Sequence, residues 1–272
     1  MTPADFLTIA EFVKQRSGIH IAPDKQYLLE SRLGPIAHKW RLDGLDQLAD
    51  ILRGQASSEQ QTEIVEAMTT NESYFFRDDG PFQALREVML PKLLAARQTQ
   101  RRLRIWSAAA SSGQEAYSIA MTLLDANIPA AGWSVEIVGT DINHEMIAKA
   151  RAGSYNRFEI MRGLGAAQRE KYFSPAGDHW VARESLRSLV SFRVANILDA
   201  RNLGTFDIIF CRNVIIYFDV ATKGRALEVL ANHIAPDGYL LLGAAENVTG
   251  LTRRFGPSPD RFNYFVPTDA PR

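Results

Sequence analysis

The 272-residue chain balances 31 basic against 31 acidic residues, with 46% apolar and 23% charged. That composition suits one large folded domain or two modest ones, and it gives no global charge to steer the chain to nucleic acid or an anionic membrane. Cys211 is the only cysteine and the five histidines show no paired metal-ligand spacing, which excludes an internal disulfide and a multi-cysteine zinc site.

Residues 1–68 read as helices. Thr2-Pro3 followed by Asp5 forms a cap, a first-turn proline and an acid at the positive helix end. Phe6, Ile9, Ala10 and Val13 then recur at helical spacing up to a stop at Gly18. Leu45, Leu48, Ala49 and Leu52 mark a later helix ended by Gly54, and Ser58 opens another with Ile64, Val65 and Met68 on one face. A small helical domain is expected here, followed by a linker and connecting helix over 69–99.

From residue 100 apolar runs at 103–110, 135–140, 189–194, 206–211 and 239–244 alternate with helical stretches at 115–124, 143–151 and 222–234. Strands separated by helices predict an α/β fold, a doubly wound parallel sheet covered on both faces over 100–272, with 262–266 as an edge strand. Residues 154–195 fit the alternation less well. Their aromatics and the turn Pro175-Ala176-Gly177-Asp178 are expected to form an inserted antiparallel β-subdomain, with a long, partly ordered insertion as the alternative.

No apolar run approaches the roughly 18 residues that span a bilayer. The opening MTPADFLTIAEF bears acids in place of a signal peptide's positive leader, so a cytoplasmic protein without membrane insertion is expected.

In doubly wound sheets ligands bind beyond the carboxyl ends of the strands. The first such turn, Ala108-Ala109-Ala110-Ser111-Ser112-Gly113, lacks the G-x-G-x-x-G pattern through which a pyrophosphate approaches bare backbone. It enters a helix through Glu115, an acid that repels phosphate but can hold an ammonium group. S-adenosylmethionine has such an ammonium and no phosphate. The second run ends in Gly139-Thr140-Asp141, where an acid can accept hydrogen bonds from both ribose hydroxyls. The competing reading of Asp141 is a helix cap.

Three strings are more specific: Thr69-Thr70-Asn71-Glu72-Ser73-Tyr74-Phe75-Phe76-Arg77-Asp78, Ile105-Trp106-Ser107 leading into the first turn, and Cys211-Arg212-Asn213-Val214-Ile215-Ile216-Tyr217-Phe218-Asp219. In that order and at these separations the chain resembles the CheR family of chemotaxis-receptor glutamate methyltransferases over essentially its whole length. The resemblance implies a Rossmann-like class I methyltransferase domain that uses S-adenosylmethionine and releases S-adenosylhomocysteine. It implies that Asn71, Ser73 and Arg77 line the cofactor pocket from the linker, Glu115 takes the methionine ammonium and Asp141 the ribose. Asn196 and Ile197 would lie beside the adenine, Arg212 and Asn213 at the fourth strand end, and Tyr217 near the transferred methyl, with Arg77 and Tyr217 as the catalytic pair. Many relatives carry Glu-Glu-Pro after the glycine; Gln114-Glu115-Ala116 stands here, leaving Glu115 to do the acidic work alone.

Plainer roles compete. Phe75 and Phe76 read as interdomain core, Tyr217 as a packed tyrosine, Arg77 as a surface arginine, and Cys211 as a buried strand residue.

The resemblance also names a partner, the cytoplasmic helical domain of methyl-accepting receptors, approached by a monomer. Lys25, Arg32 and Lys39, spaced by seven, form a basic stripe suited to an acidic receptor helix, with Gly34-Pro35 as a potential break. The loop at Pro175-Ala176-Gly177-Asp178-His179 is short for tethering a receptor tail, and no tethering is expected. The rival readings are a non-catalytic regulator that binds S-adenosylmethionine and a methyltransferase for another substrate class.

Overall fold

The computed structural model describes residues 1–260 and 262–268. The chain divides into two compact units, one of Met1–Thr70 with Tyr217–Lys223, the other of Asn71–Ile216 with the residues from Gly224 onward.

The first unit contains α1 (Pro3–Ser17), a 3-10 turn at Pro23–Lys25, α2 (Gln26–Lys39), α3 (Leu45–Arg53) and α4 (Ser58–Met68). Thr2 and Asp5 make a reciprocal capping box at α1, and Gly18 closes that helix in the left-handed region (φ 83°). Phe6, Ile9, Val13, Leu29, Leu33, Leu48 and Ile64 fill its core. Pro35 does not break α2. It forfeits one backbone donor, and burial of Leu33, Ile36 and Ala37 around it outweighs the loss. The basic stripe is largely engaged: Arg32 caps the end of α4, donating from Nη1 to the carbonyls of Met68 (2.7 Å) and Thr69 (2.8 Å) and from Nη2 to Thr70 Oγ1 (2.9 Å). Lys39 pairs with Glu63 at 2.7 Å.

The second unit opens with α5 (Gly80–Ala84), a π-helical turn (Leu85–Met89) and α6 (Leu90–Ala96). Then follow β1 (Arg102–Ala108), α7 (Gln114–Asp125), β2 (Ser134–Asp141), α8 (His144–Ala152), β3 (Ser154–Asn156), α9 (Arg157–Met161), α10 (Ala166–Tyr172), β4 (Phe173–Ala176), β5 (His179–Ala182), α11 (Glu184–Arg187) and β6 (Val190–Val194). After a 3-10 turn at Ile197–Asp199 come β7 (Phe206–Cys211), a second 3-10 turn (Ile215–Tyr217), α12 (Val220–Asn232), β8 (Ile234–Leu242), β9 (Phe255–Pro257) and β10 (Phe265–Pro267).

The large sheet has the order β6-β2-β1-β7-β8-β10-β9, and its five strands from β6 to β8 run parallel. Every residue of β7 is buried, as expected of a central strand covered on both faces. The last apolar run departs from expectation: β10 lies inside the sheet, antiparallel to β8, and β9 forms the edge. Parallel strands need helical crossovers, whereas the short final loop lets the chain double back against itself.

Within the stretch read as an insertion, β3, β5 and β4 make a separate three-stranded antiparallel sheet, while β6 joins the large one. No helix among the described residues is long and apolar enough to cross a membrane.

Candidate functional site

The β1–α7 turn is tightly kinked, with Ala109 (φ 61°), Ser111 (φ 49°) and Gly113 (φ 94°) all in the left-handed region. For Ala109 and Ser111 this costs roughly 1–2 kcal/mol each, so something must hold them. Ala110 N donates to the Thr140 carbonyl (2.8 Å), Ser111 N to Asp141 Oδ2 (2.8 Å) and Gly113 N to the Ala110 carbonyl (2.9 Å). Asp141 Oδ1 accepts from Asn143 N at 2.9 Å. The cap of α8 is Asn143, whose side chain accepts from Met146 N. Asp141 is therefore the clasp between two neighbouring strand tips.

Glu115 sits in the first turn of α7. Its Oε1 accepts from Ser107 Oγ (2.7 Å) and its Oε2 from Arg212 Nη1 (3.0 Å). The Arg212 side chain, only 2% exposed, also donates from Nη2 to the Arg77 carbonyl (2.8 Å) and to Asp78 Oδ2 (2.9 Å). One buried guanidinium thus ties the end of β7, the start of α7 and the linker together. The linker bends sharply around Arg77, with Phe76 (φ 51°) and Asp78 (φ 54°) both left-handed, and Phe76 N donates to Ser118 Oγ at 3.0 Å. Arg77 itself is half-buried, donates from Nη1 to the Glu72 carbonyl (2.8 Å) and lies 5.5 Å from the Tyr74 ring. The Asn71 carbonyl accepts from Ser111 Oγ at 3.0 Å, which brings the start of the linker onto the kinked turn; Ser73 is half-buried between them in the chain.

The other expected residues divide. Ala195 N donates to the Asp141 carbonyl (2.9 Å), so Asn196 and the buried Ile197 follow directly beside the clasp. The Asn196 side chain accepts from Leu198 N at 2.9 Å. Asn213, at φ 59°, continues from Arg212. Tyr217, half-buried, belongs to the helical unit, where its carbonyl accepts from His20 N at 2.8 Å. Cys211 is fully buried; burial pushes its thiol up, and the negative charges of Glu246 and Glu115 push it further, so a thiolate nucleophile is disfavoured.

Sequence reasoning missed Glu246. This carboxylate, 5% exposed, accepts four backbone hydrogen bonds: from Asn213 N (2.9 Å), Val214 N (2.9 Å), Ile216 N (3.1 Å) and Gly243 N (2.6 Å). It straps the strand-end segment that carries Arg212 and Asn213 to the end of β8. The available signal was the same as for Asp141, an acid just past an apolar strand, in Gly243-Ala244-Ala245-Glu246. Among the described residues no group of three or more His, Cys, Asp and Glu is disposed to hold a metal ion.

Comparisons with known proteins agree with this architecture. Residues 71–262 match the family model described as the CheR methyltransferase SAM binding domain, and residues 4–69 match that of its all-alpha domain. The chain is 43% identical over 256 residues to the chemotaxis protein methyltransferase of Vibrio parahaemolyticus, covering 92% of each. It is 42% identical over 256 residues to chemotaxis protein methyltransferase 1 of Vibrio cholerae, again covering 92% of each. With chemotaxis protein methyltransferase 1 of Pseudomonas aeruginosa it shares 39% identity over 253 residues, 91% of this chain and 92% of the other.

Proposed function

The chain belongs to the CheR methyltransferase family and uses S-adenosylmethionine, and from that premise we propose that it esterifies glutamate side chains of methyl-accepting chemotaxis receptors. It does so in the cytoplasm, as a monomer, leaving S-adenosylhomocysteine and a glutamate methyl ester. The observation that carries the reading is the Arg212 knot, which joins the acid of the first sheet helix to the linker bearing Arg77.

The residues present fit such a donor. A carboxylate offers about four acceptor positions, and Glu115 uses two, on Ser107 and Arg212, leaving capacity for an ammonium group. Asp141, at the neighbouring strand tip, serves the ribose, and Asn196 and Ile197 the adenine. Asn71, Ser73, Arg77, Arg212 and Asn213 complete the lining. When bound, the donor supplies a methyl group made electrophilic by its sulfonium.

The receptor glutamate needs no general base, because a carboxyl with an unperturbed pKa near about 4.3 is ionised at neutral pH. A donor held by these residues would supply its methyl to that carboxylate oxygen, the carbon–sulfur bond breaking as the new bond forms, and no residue of this chain would need to move a proton. The remaining task is alignment and removal of water from the carboxylate. Arg77 has donors left beyond its bond to Glu72 and holds the carboxylate. Tyr217 steadies the sulfonium with its ring face or hydroxyl. The helical unit, residues 1–68, docks the receptor, drawing on the exposed Lys25 and Arg41 since Arg32 is committed to capping α4.

Incubation with methyl-labelled donor and receptor membranes is expected to give base-labile label on receptor glutamates, located by mass spectrometry. Arg77→Ala should lower kcat by about a hundredfold or more. Near-normal turnover in that variant would remove Arg77 from the mechanism, and label stable to base would overturn the ester.

A further inference from the structure

We propose that the solvent face of α9 is a recognition surface for the glutamate-bearing helix of the receptor, placing it beside Arg77. This rests on the glutamate-esterifying reading above.

Helix α9 is short and firmly capped, with Asn156 and Glu159 forming a capping box and Ile160 fully buried beneath it. Its other side is unusual. Phe158 is 75% exposed and Met161 56% exposed. At i and i+3 they share one face, and Arg157 and Arg162 join them through i,i+4 neighbours. The four side chains line a shallow cleft of about 510 Å³. Single exposed apolar residues need no explanation; here two large ones stand side by side at a cleft flanked by two arginines.

Charge sets the partner. The nearby acids are already engaged: Glu159 by Lys149 and by Asn156 N, Glu72 by Arg162 at 2.6 Å, and Asp178 by His179 at 2.6 Å. Arg157 has no ion pair among the described residues. With Arg162 neutralised by Glu72, Arg157 is left as an uncompensated positive charge beside an apolar face, complementary to an amphipathic helix that carries glutamates between apolar residues. A receptor segment that offers glutamate carboxylates to an enzyme presents that chemistry.

The surface is also locked to the linker. Phe75 N donates to the Arg162 carbonyl at 3.3 Å. Gly163 (φ +95°) packs so closely that a Cβ there would stand 1.8 Å from the Phe75 carbonyl oxygen. The Arg162 guanidinium lies 4.2 Å from the Tyr74 ring, and that of Arg77 lies 5.5 Å from the same ring. Glu72 completes the link, its carboxylate on Arg162 and its carbonyl on Arg77. A helix seated on Phe158 and Met161 is thus held in a fixed relation to the residue that meets its carboxylate.

The test uses the full-length protein and a soluble receptor cytoplasmic fragment ending at its helical bundle, without any tail. Two variants are compared with wild type, Phe158→Ser with Met161→Ser, and Arg157→Glu. Melting temperatures check folding, which should persist because these side chains face solvent. KM for the fragment should rise about tenfold, with kcat and the calorimetric Kd for S-adenosylmethionine within about twofold, the pattern of lost substrate binding alone. An unchanged KM in both variants would overturn the proposal, as would an equal loss of donor affinity. If wild type forms no base-labile ester on any receptor fragment, the underlying reading falls instead.

Discussion

Arg212 shows how one side chain decides a site. Its guanidinium is almost wholly buried, and the Glu115 carboxylate and the Arg77 carbonyl both depend on it. A buried pair adds little when compared with an apolar isostere, but removing one partner strands the other charge. Arg212→Ala should therefore cost about 3–5 kcal/mol in urea unfolding. Glu115→Gln is different, since it keeps shape and the Ser107 contact while losing charge, and Asp78 remains as a carboxylate partner for Arg212. It should leave the fold largely intact and weaken S-adenosylmethionine binding about tenfold or more by calorimetry, the scale of a charge-assisted hydrogen bond. Equal affinity would mean that Glu115 serves only to hold Arg212.

Strand ends and turns carry the next layer. In a parallel sheet the carboxyl ends of β1, β2 and β7 come together, but their loops still need fixing. Asp141 fixes the first by accepting from Ser111 N, and Glu246 fixes the loop after β7 by gathering three of its N–H groups with that of Gly243. Glu246→Gln replaces an acceptor oxygen with an amide donor facing those N–H groups. The expected loss is about 3 kcal/mol of stability, together with weaker donor binding at temperatures where the variant is folded. A lower melting temperature with unchanged affinity would make Glu246 a purely structural strap.

At the level of the two units, the returning segment Tyr217–Lys223 completes the helical one. Phe218 bridges to Ile19, and Asp219 pairs with Lys14 at 2.8 Å. The hydrogen bond from Lys14, then those from Thr222, hold the Asp219 carboxyl well below the usual range. A carboxyl lowered on folding contributes stability above its unfolded value near about 3.9, and loses it as pH falls through the folded value. Asp219→Asn should therefore lower the melting temperature by about 3 °C at pH 7. The gap to wild type should begin to close below about pH 4 and narrow further as pH falls towards the folded value. A gap independent of pH would show that the pair contributes no charge-dependent stability.

Much of this protein was legible in its one-dimensional pattern. Helical spacing marked the first unit, apolar runs marked β1, β2, β6, β7 and β8, and the missing glycine fingerprint with acids at residues 115 and 141 turned the reading from a dinucleotide to an adenosyl sulfonium. These are local signals, set by side chains a few residues apart. The tertiary structure alone decided what joins distant stretches: that Arg212 and Glu115, 97 residues apart, form one buried pair, that Glu246 closes the loop after β7, and that Arg32 caps α4 instead of facing a partner. It also decided that β10 enters the sheet while β9 forms the edge, and that Tyr217 leaves with the helical unit. Periodicity records which face of an element is buried; it holds no record of which remote polar group will satisfy a buried charge, because that depends on geometry created only when the chain packs.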